Sequence, residues 1–221
     1  MSLELQRFQE TLRDHARRND NATALWGDTL KLDYATLYAE VLYRQERLRD
    51  EQAQVIALAL DNGVDAMLWD LAVLFEGLTC VTLPPFFSAA QRAHCLEQSQ
   101  AERVIAEPEL SAELLAAGYE QRGEFWCRAF SGPSRMPAGT AKLTFTSGTT
   151  AQPKGVCLGS AQQWELARVL EMTAPASGRP AASLVQVRVP PAGTAGALAT
   201  SGWGTPAGGV AATPGWRYCW G

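Results

Sequence analysis

LTFTSGTTAQPKGV, residues 143–156, is the stretch of sequence that decides the fold. Residues 143–145 alternate apolar and β-branched side chains, as a strand does, and residues 156–158 form a second strand-like apolar run. Between the two runs lie four hydroxyl side chains, two glycines and a lysine, and no residue from 146 to 153 can continue an apolar face. The pattern therefore predicts a hairpin with a projecting polar loop.

This loop has the composition of a phosphate-binding site. Backbone N–H groups near a glycine can close on an oxyanion because no Cβ obstructs the approach, the hydroxyls add donors, and a lysine supplies a positive charge. The candidate ligands are Thr146, Ser147, Gly148, Thr149, Thr150 and Lys154. The alternative is a purely structural polar hairpin that binds no ligand.

The Walker loop, G-x-x-x-x-G-K-[ST], is the first phosphate-binding motif to compare, and it does not fit. Counted from Gly148, Pro153 stands where the second glycine belongs, and Gly155 stands where Ser or Thr must follow the lysine. A strand-like run follows Lys154, whereas the Walker lysine opens a helix. The sequence therefore excludes the Walker class.

The loop resembles that of the adenylate-forming superfamily, which includes acyl-CoA synthetases, aryl-CoA ligases, luciferases and adenylation domains. The family loop is roughly [ST]-S-G-[ST]-T-G-x-P-K-G-V; residues 146–150 and 153–156 match it, and Ser160 stands where the family's next serine opens a helix. Ala151 departs from the family glycine, and alanine is strained if the position needs a positive φ.

Upstream, Asp33-Tyr34 with Leu37 is similar to the family's T-Y-x-x-L opening, before a run with helical spacing up to residue 48. Hydrophobic patterns then predict strands over 55–60, 80–83 and 104–106, separated by helices over 64–75 and from Ser88 to about residue 99. This β-α-β-α-β order predicts an α/β fold with a parallel or mixed sheet and covering helices.

Several details of these elements can be predicted. Asn62 can cap the first of the two helices, and Gly77 is a natural stop for it. Ser88 and Gln91 form a capping-box pattern at the start of the second helix. Trp69 and Phe75 are predicted to lie in the core.

The resemblance implies a reaction and its cofactors. A carboxylate attacks the α-phosphate of ATP, giving an acyl-adenylate and pyrophosphate, and the acyl group usually passes to the thiol of CoA or of a carrier protein. Mg²⁺ would help to stabilise the departing phosphates. The family's later motifs, which include the acidic magnesium site and a catalytic lysine, have no counterpart here, so the catalytic residues are unknown.

We therefore expect the incomplete N-terminal part of an adenylate-forming enzyme, inactive as it stands. The alternative is a non-enzymatic remnant or a nucleotide-binding regulatory protein. The sequence does not indicate which carboxylic acid or thiol acceptor the parent enzyme uses.

Composition agrees with an intracellular globular domain, because 47% of the residues are hydrophobic, the net charge is −4 and no basic cluster is present. Nucleic acid is not an expected partner. No signal peptide or membrane span is predicted, so a cytoplasmic location is expected. The five cysteines form no C-x-x-C pair, so they are predicted to be reduced thiols, and no metal site is predicted.

The composition changes near residue 173. From there to Gly221, 34 of 49 residues are Gly, Ala, Pro, Ser or Thr, and none is Asp, Glu or Lys. We divide the chain into a partial AMP-binding domain, 1–172, and a Gly/Ala/Pro-rich tail, 173–221. A shifted reading frame in GC-rich DNA and a natural disordered tail are the two explanations.

Overall fold

The structure is a computed structural model that describes residues 2–18, 21–26, 30–132, 134–146, 152–173 and 217–218 of the 221-residue chain. In these residues the α-helices are α1 (Leu3–Arg18), α2 (Tyr34–Asp50), α3 (Val64–Glu76), α4 (Ala89–Ser99), α5 (Ser111–Ala116) and α6 (Ser160–Thr173). The strands are β1 (Thr23–Trp26), β2 (Lys31–Asp33), β3 (Val55–Ala59), β4 (Thr79–Thr82), β5 (Arg103–Ala106), β6 (Glu120–Arg122), β7 (Phe125–Cys127), β8 (Thr140–Thr146), β9 (Lys154–Gly159) and β10 (Arg217–Tyr218). A 3₁₀ turn, Pro108–Leu110, precedes α5.

The central sheet has the strand order β10-β9-β8-β4-β3-β5-β7-β6. Strand β3 pairs in parallel with β4 and β5, and β4 pairs in parallel with β8, whereas the remaining neighbours are antiparallel. The sheet is therefore mixed, and the predicted α/β class with its β-α-β-α-β order is confirmed. Strands β1 and β2 form a separate antiparallel pair.

Helices cover both faces of the central sheet. All five residues of β3 are buried, as the continuous apolar run predicted. On one face, Ile56 and Leu58 join a core built mainly with α1, α2 and α3. On the other face, Val55 and Ala57 join a core with α4 and α5.

Trp69 and Phe75 lie in the core formed with α1, α2 and α3, with 4% and 2% of their surface exposed, so their predicted burial is confirmed. Both belong to α3, nine of whose 13 residues are buried. None of the helices in the described ranges combines the length and the apolar character needed to cross a lipid bilayer.

Two of the three helix-end features predicted from the sequence are present in the structure. Ser88 and Gln91 form the predicted capping box at α4, and Gly77 ends α3 with a left-handed φ of 75°. The prediction for Asn62 was wrong, because Gly63 is the N-cap of α3 and no side chain caps that end. At α2, Asp33 accepts a hydrogen bond from the backbone N–H of Thr36, and hydrogen bonds from the side chain and then the backbone of Thr36 lower the pKa of that carboxyl.

Tyr119 provides a test of the core on the face of the sheet that α4 and α5 cover. Its ring is 1% exposed, and its hydroxyl donates a 2.8 Å hydrogen bond to the carbonyl of Ala101, while burial raises its pKa. Tyr119→Phe leaves that buried carbonyl without its donor, so we expect a loss of about 1–3 kcal/mol in the free energy of unfolding. Urea unfolding measures the loss, and Tyr43→Phe, at a residue that is 56% exposed, is the control expected to stay within about 0.5 kcal/mol. Equal losses in the two variants would contradict this account.

Candidate functional site

The carboxyl ends of β3, β4, β5 and β8 meet at one edge of the sheet, because these four strands are parallel. In open α/β sheets, ligands bind outside this edge. Strand β8 ends there and β9 returns antiparallel to it, with Thr146 opposite Lys154. The predicted hairpin is therefore confirmed, and Thr146 and Lys154 lie at this edge of the sheet. Helix α6 begins at Ser160, as the motif predicted.

Thr146 and Lys154 are the two predicted ligands whose positions the structure describes. The Thr146 hydroxyl donates a 3.3 Å hydrogen bond to the Lys154 carbonyl, so it has no second proton for a phosphate while that bond persists. Lys154 is exposed, and its ammonium makes no ion pair with any described residue. Pro153 beside it is buried. The described end of the hairpin therefore presents one cation to the solvent.

The remaining predicted ligands, Ser147, Gly148, Thr149 and Thr150, lie outside the described residues, as does Ala151. Their assignment to phosphate binding stays a prediction.

The segment after β4 lies next to the hairpin, because β4 and β8 are neighbours. Phe86 is 58% exposed at this edge, whereas Phe87 is 3% exposed and packs edge-on against it. Arg92 donates to the Phe87 carbonyl and makes a two-pronged ion pair with Glu113, at 2.9 and 2.6 Å. A bidentate pair of this kind holds its partners in one geometry, so the turn beside the hairpin is anchored to α5.

A buried ion pair joins β8 to α3, and it was not predicted from the sequence. Lys142 of β8 and Asp70 of α3 are each 8% exposed, and their Nζ and Oδ2 atoms are 2.5 Å apart. Burial lowers the pKa of Lys142, but the Asp70 carboxylate raises it, and the net direction is upward. The ammonium is therefore charged in the fold. Two opposite charges at core positions of α3 and β8 were the available signal.

The cysteines differ in state. Cys80, Cys95 and Cys127 are free and buried, which confirms the prediction for these three. Burial raises the pKa of Cys95 to about 12, so its thiol is not a nucleophile near neutrality. The prediction was wrong for Cys157, which is disulfide-bonded. Cys219 lies outside the described residues. Within the described part of the chain, no group of three or more His, Cys, Asp or Glu residues could hold a metal.

Comparison with known proteins gives one matching family model and a set of distant relatives. The model, described as AMP-binding enzyme, matches residues 12–186, beyond the boundary predicted at residue 172. The chain is 28% identical to syringomycin synthase SyrB1 of Pseudomonas syringae pv. syringae over 188 residues, which cover 77% of this chain and 29% of that protein. It is 25% identical to tyrocidine synthase 2 of Brevibacillus parabrevis over 161 residues, which cover 69% of this chain and 4% of that protein.

Solved structures share the fold at lower identity. O-succinylbenzoate coenzyme A synthetase of Bacillus subtilis, in complex with AMP, aligns with a TM-score of 0.57 and 20% identity over 74% of this chain and 45% of its own. The anthranilate CoA ligase AuaEII, in complex with anthranoyl-AMP, aligns with a TM-score of 0.62 and 13% identity over 75% of this chain and 37% of its own. The chain therefore spans less than half the length of each of these relatives.

Proposed function

The chain belongs to the AMP-binding enzyme family, and on that premise we propose that its β8–β9 hairpin binds the phosphates of ATP in a carboxylate-activating ligase. The observation that carries the proposal is the position of Lys154. Its exposed ammonium lies at the end of the hairpin, at the edge where the parallel strands end, directly after the loop that matches the family motif.

The residues present suit a phosphate better than a magnesium ion. An ammonium without an ion-pair partner among the described residues is a donor for a phosphate oxygen, and Thr146 can join it if its hydroxyl turns away from the Lys154 carbonyl. Among the described residues no group of three or more His, Cys, Asp or Glu could hold a metal, and Mg²⁺ in nucleotide sites is usually held by one or two carboxylates together with the phosphates themselves. ATP therefore has a candidate contact here, whereas the expectation of Mg²⁺ comes from the family resemblance.

The parent reaction follows from the relatives. Two of them are CoA ligases or synthetases, and their complexes contain AMP and an acyl-AMP. The proposed reaction transfers the adenylyl group of ATP to a carboxylic acid, releases pyrophosphate, and then passes the acyl group to CoA or to a carrier-protein thiol. In it, Lys154 and the loop donors would stabilise charge on the departing phosphates. The cytoplasmic location stays a prediction.

We also propose that these 221 residues alone do not complete the reaction. The segment corresponds to less than half of each solved relative, and phosphate contacts by themselves leave the adenine, the ribose and the acyl group without partners. Weak ATP binding and no acyl-adenylate are the expected properties of this segment. The division at residue 173 and the origin of the tail stay predictions as well.

Lys154→Ala tests the proposed phosphate site. We expect the substitution to weaken ATP binding about tenfold or more, because a charge-assisted hydrogen bond contributes about 1.5–3 kcal/mol. Phosphorus NMR titration at millimolar ATP suits such weak binding. Lys31→Ala, which removes the same charge from β2, is the matched control and should leave the affinity unchanged. Equal affinities for the wild-type chain and Lys154→Ala would count against the site.

Pyrophosphate exchange with fatty, aryl and amino acids tests the second part of the proposal. The expected result is no exchange above background for the 221-residue chain. Exchange that Lys154→Ala abolishes would overturn the proposed inactivity and identify the activated acid.

The second candidate is a non-enzymatic nucleotide-binding protein. The exposed ammonium of Lys154 is compatible with it as well, because such a protein needs a phosphate contact and no catalytic residue. Two results together would support this candidate over the ligase. ATP binding would depend on Lys154, and no longer protein translated from the downstream DNA, in any reading frame, would catalyse pyrophosphate exchange.

A further inference from the structure

Strand β8 carries the proposed phosphate loop, and its pairing changes at Lys142. Thr140 lies opposite Gly159, but Lys142 lies opposite Leu158, so β8 advances two residues while β9 advances one. Lys142 is also the first residue of β8 that pairs with β4, where it lies opposite Cys80. The register of β8 against both neighbours is therefore established at this residue, next to an irregular step in the ladder.

An irregular ladder offers an alternative register nearby. A slip by one residue moves every side chain of a strand to the opposite face of the sheet. In the observed register, Leu143 and Phe145 face the apolar core with α4 and α5, while Lys142 faces α3. A one-residue slip would place the Lys142 ammonium in that apolar core and leave Asp70 buried without its partner. Both changes carry a high desolvation cost.

We propose that the buried Asp70–Lys142 pair selects the register of the β8–β9 hairpin and so positions the phosphate loop. The two side chains are 12% and 10% exposed, and their charged atoms are 2.5 Å apart. A buried ion pair adds little stability compared with apolar residues of similar size, but it penalises any arrangement that separates its members. The register that brings Thr146 opposite Lys154 is the one that keeps this pair together.

The two residues therefore act through the hairpin and do not touch the nucleotide. Asp70 lies in the middle of α3, and Lys142 lies four positions before the end of β8. Their effect on the loop rests on the proposed phosphate-binding function, whereas their effect on the register does not.

Asp70→Ala/Lys142→Met tests the proposal, because methionine nearly matches lysine in volume and fills irregular gaps. In the isotope-labelled 221-residue chain, NMR should show a urea midpoint that is unchanged or higher, and a second set of amide signals for β8 and β9. The cross-strand NOE between Thr144 and Val156, which are opposite each other in the native register, should weaken in proportion. Arg103→Met/Glu51→Ala removes another partly buried ion pair, on β5, which β3 and β4 separate from β8, and should leave one set of signals.

A single set of signals in Asp70→Ala/Lys142→Met, with the Thr144–Val156 NOE at full strength, would overturn the proposal. If that variant does not fold, Asp70→Asn removes the charge at almost constant volume and should still populate the second register. A single register in Asp70→Asn would also contradict the proposal. Adding ATP to the wild-type sample separates the two proposals. If ATP shifts no signal, the phosphate site fails, while the register result still stands.

Discussion

Asp70→Ala alone is expected to lower the free energy of unfolding by about 3–5 kcal/mol at neutral pH, because it leaves the Lys142 ammonium buried without a counter-charge. The loss should depend on pH. In the wild-type chain the pKa of Lys142 is raised, so the pair contributes stability below the ordinary lysine pKa and loses it as the pH rises through the higher folded value. Without Asp70, burial alone acts on Lys142 and lowers its pKa, so the penalty is relieved as the pH approaches about 10.

The difference between the two proteins should therefore be largest near neutrality and smallest in alkali. Urea unfolding at several pH values measures it. Asp65→Ala is the matched control, since it changes the same residue type on the same helix, but at a side chain that is 59% exposed and paired with Arg44. Its cost should stay below about 1 kcal/mol and show no such trend. A pH-independent loss in Asp70→Ala would instead indicate a packing defect.

The fold could be predicted from the sequence where local pattern and tertiary structure agree. Strand β3 was evident as an uninterrupted apolar run, because a parallel strand is buried on both faces. The start of α4 could be predicted from the capping box of Ser88 and Gln91, because that motif depends only on residues three positions apart. The hairpin followed from two apolar runs around a polar loop.

Features decided by distant contacts were less accessible. Asn62 has the chemistry of a helix cap, yet the N-cap of α3 is the next residue, Gly63, and the helix itself begins at Val64. The short strand β6 has three exposed residues and carries no hydrophobic pattern to predict it. Propensity could not identify it, since its pairing with β7 depends on the neighbouring sheet.

The candidate site shows the same division. Lys154 could be predicted as a phosphate ligand from the motif, because the spacing of a loop is a local property, and that role stays a prediction. The Asp70–Lys142 pair could not, because it joins residues 72 positions apart that meet only because β8 lies beside β4 in the sheet. A charged residue in an otherwise apolar strand or helix was the sole hint, and its partner could be found only with the sheet order in hand.

The largest packing effect is expected at Phe75. Its side chain is 2% exposed within the core formed by α1, α2 and α3, so Phe75→Ala should lower the free energy of unfolding by about 3–5 kcal/mol through lost burial and the cavity left behind. The main-chain carbonyl of Phe75 accepts hydrogen bonds from Gln9 and Gln45, at 2.7 and 3.2 Å, and the substitution leaves this backbone acceptor in place. The predicted loss therefore reports on the ring.

Phe86→Ala deletes the same ring at a position that is 58% exposed, in the turn that follows β4. We expect that change to stay within about 0.5 kcal/mol, because little buried apolar surface is lost. Urea unfolding, monitored by tryptophan fluorescence, compares the two variants with the wild-type chain. A loss in Phe86→Ala as large as that in Phe75→Ala would mean that Phe86 is covered in solution and that the edge of the sheet beside the hairpin is not open to a ligand.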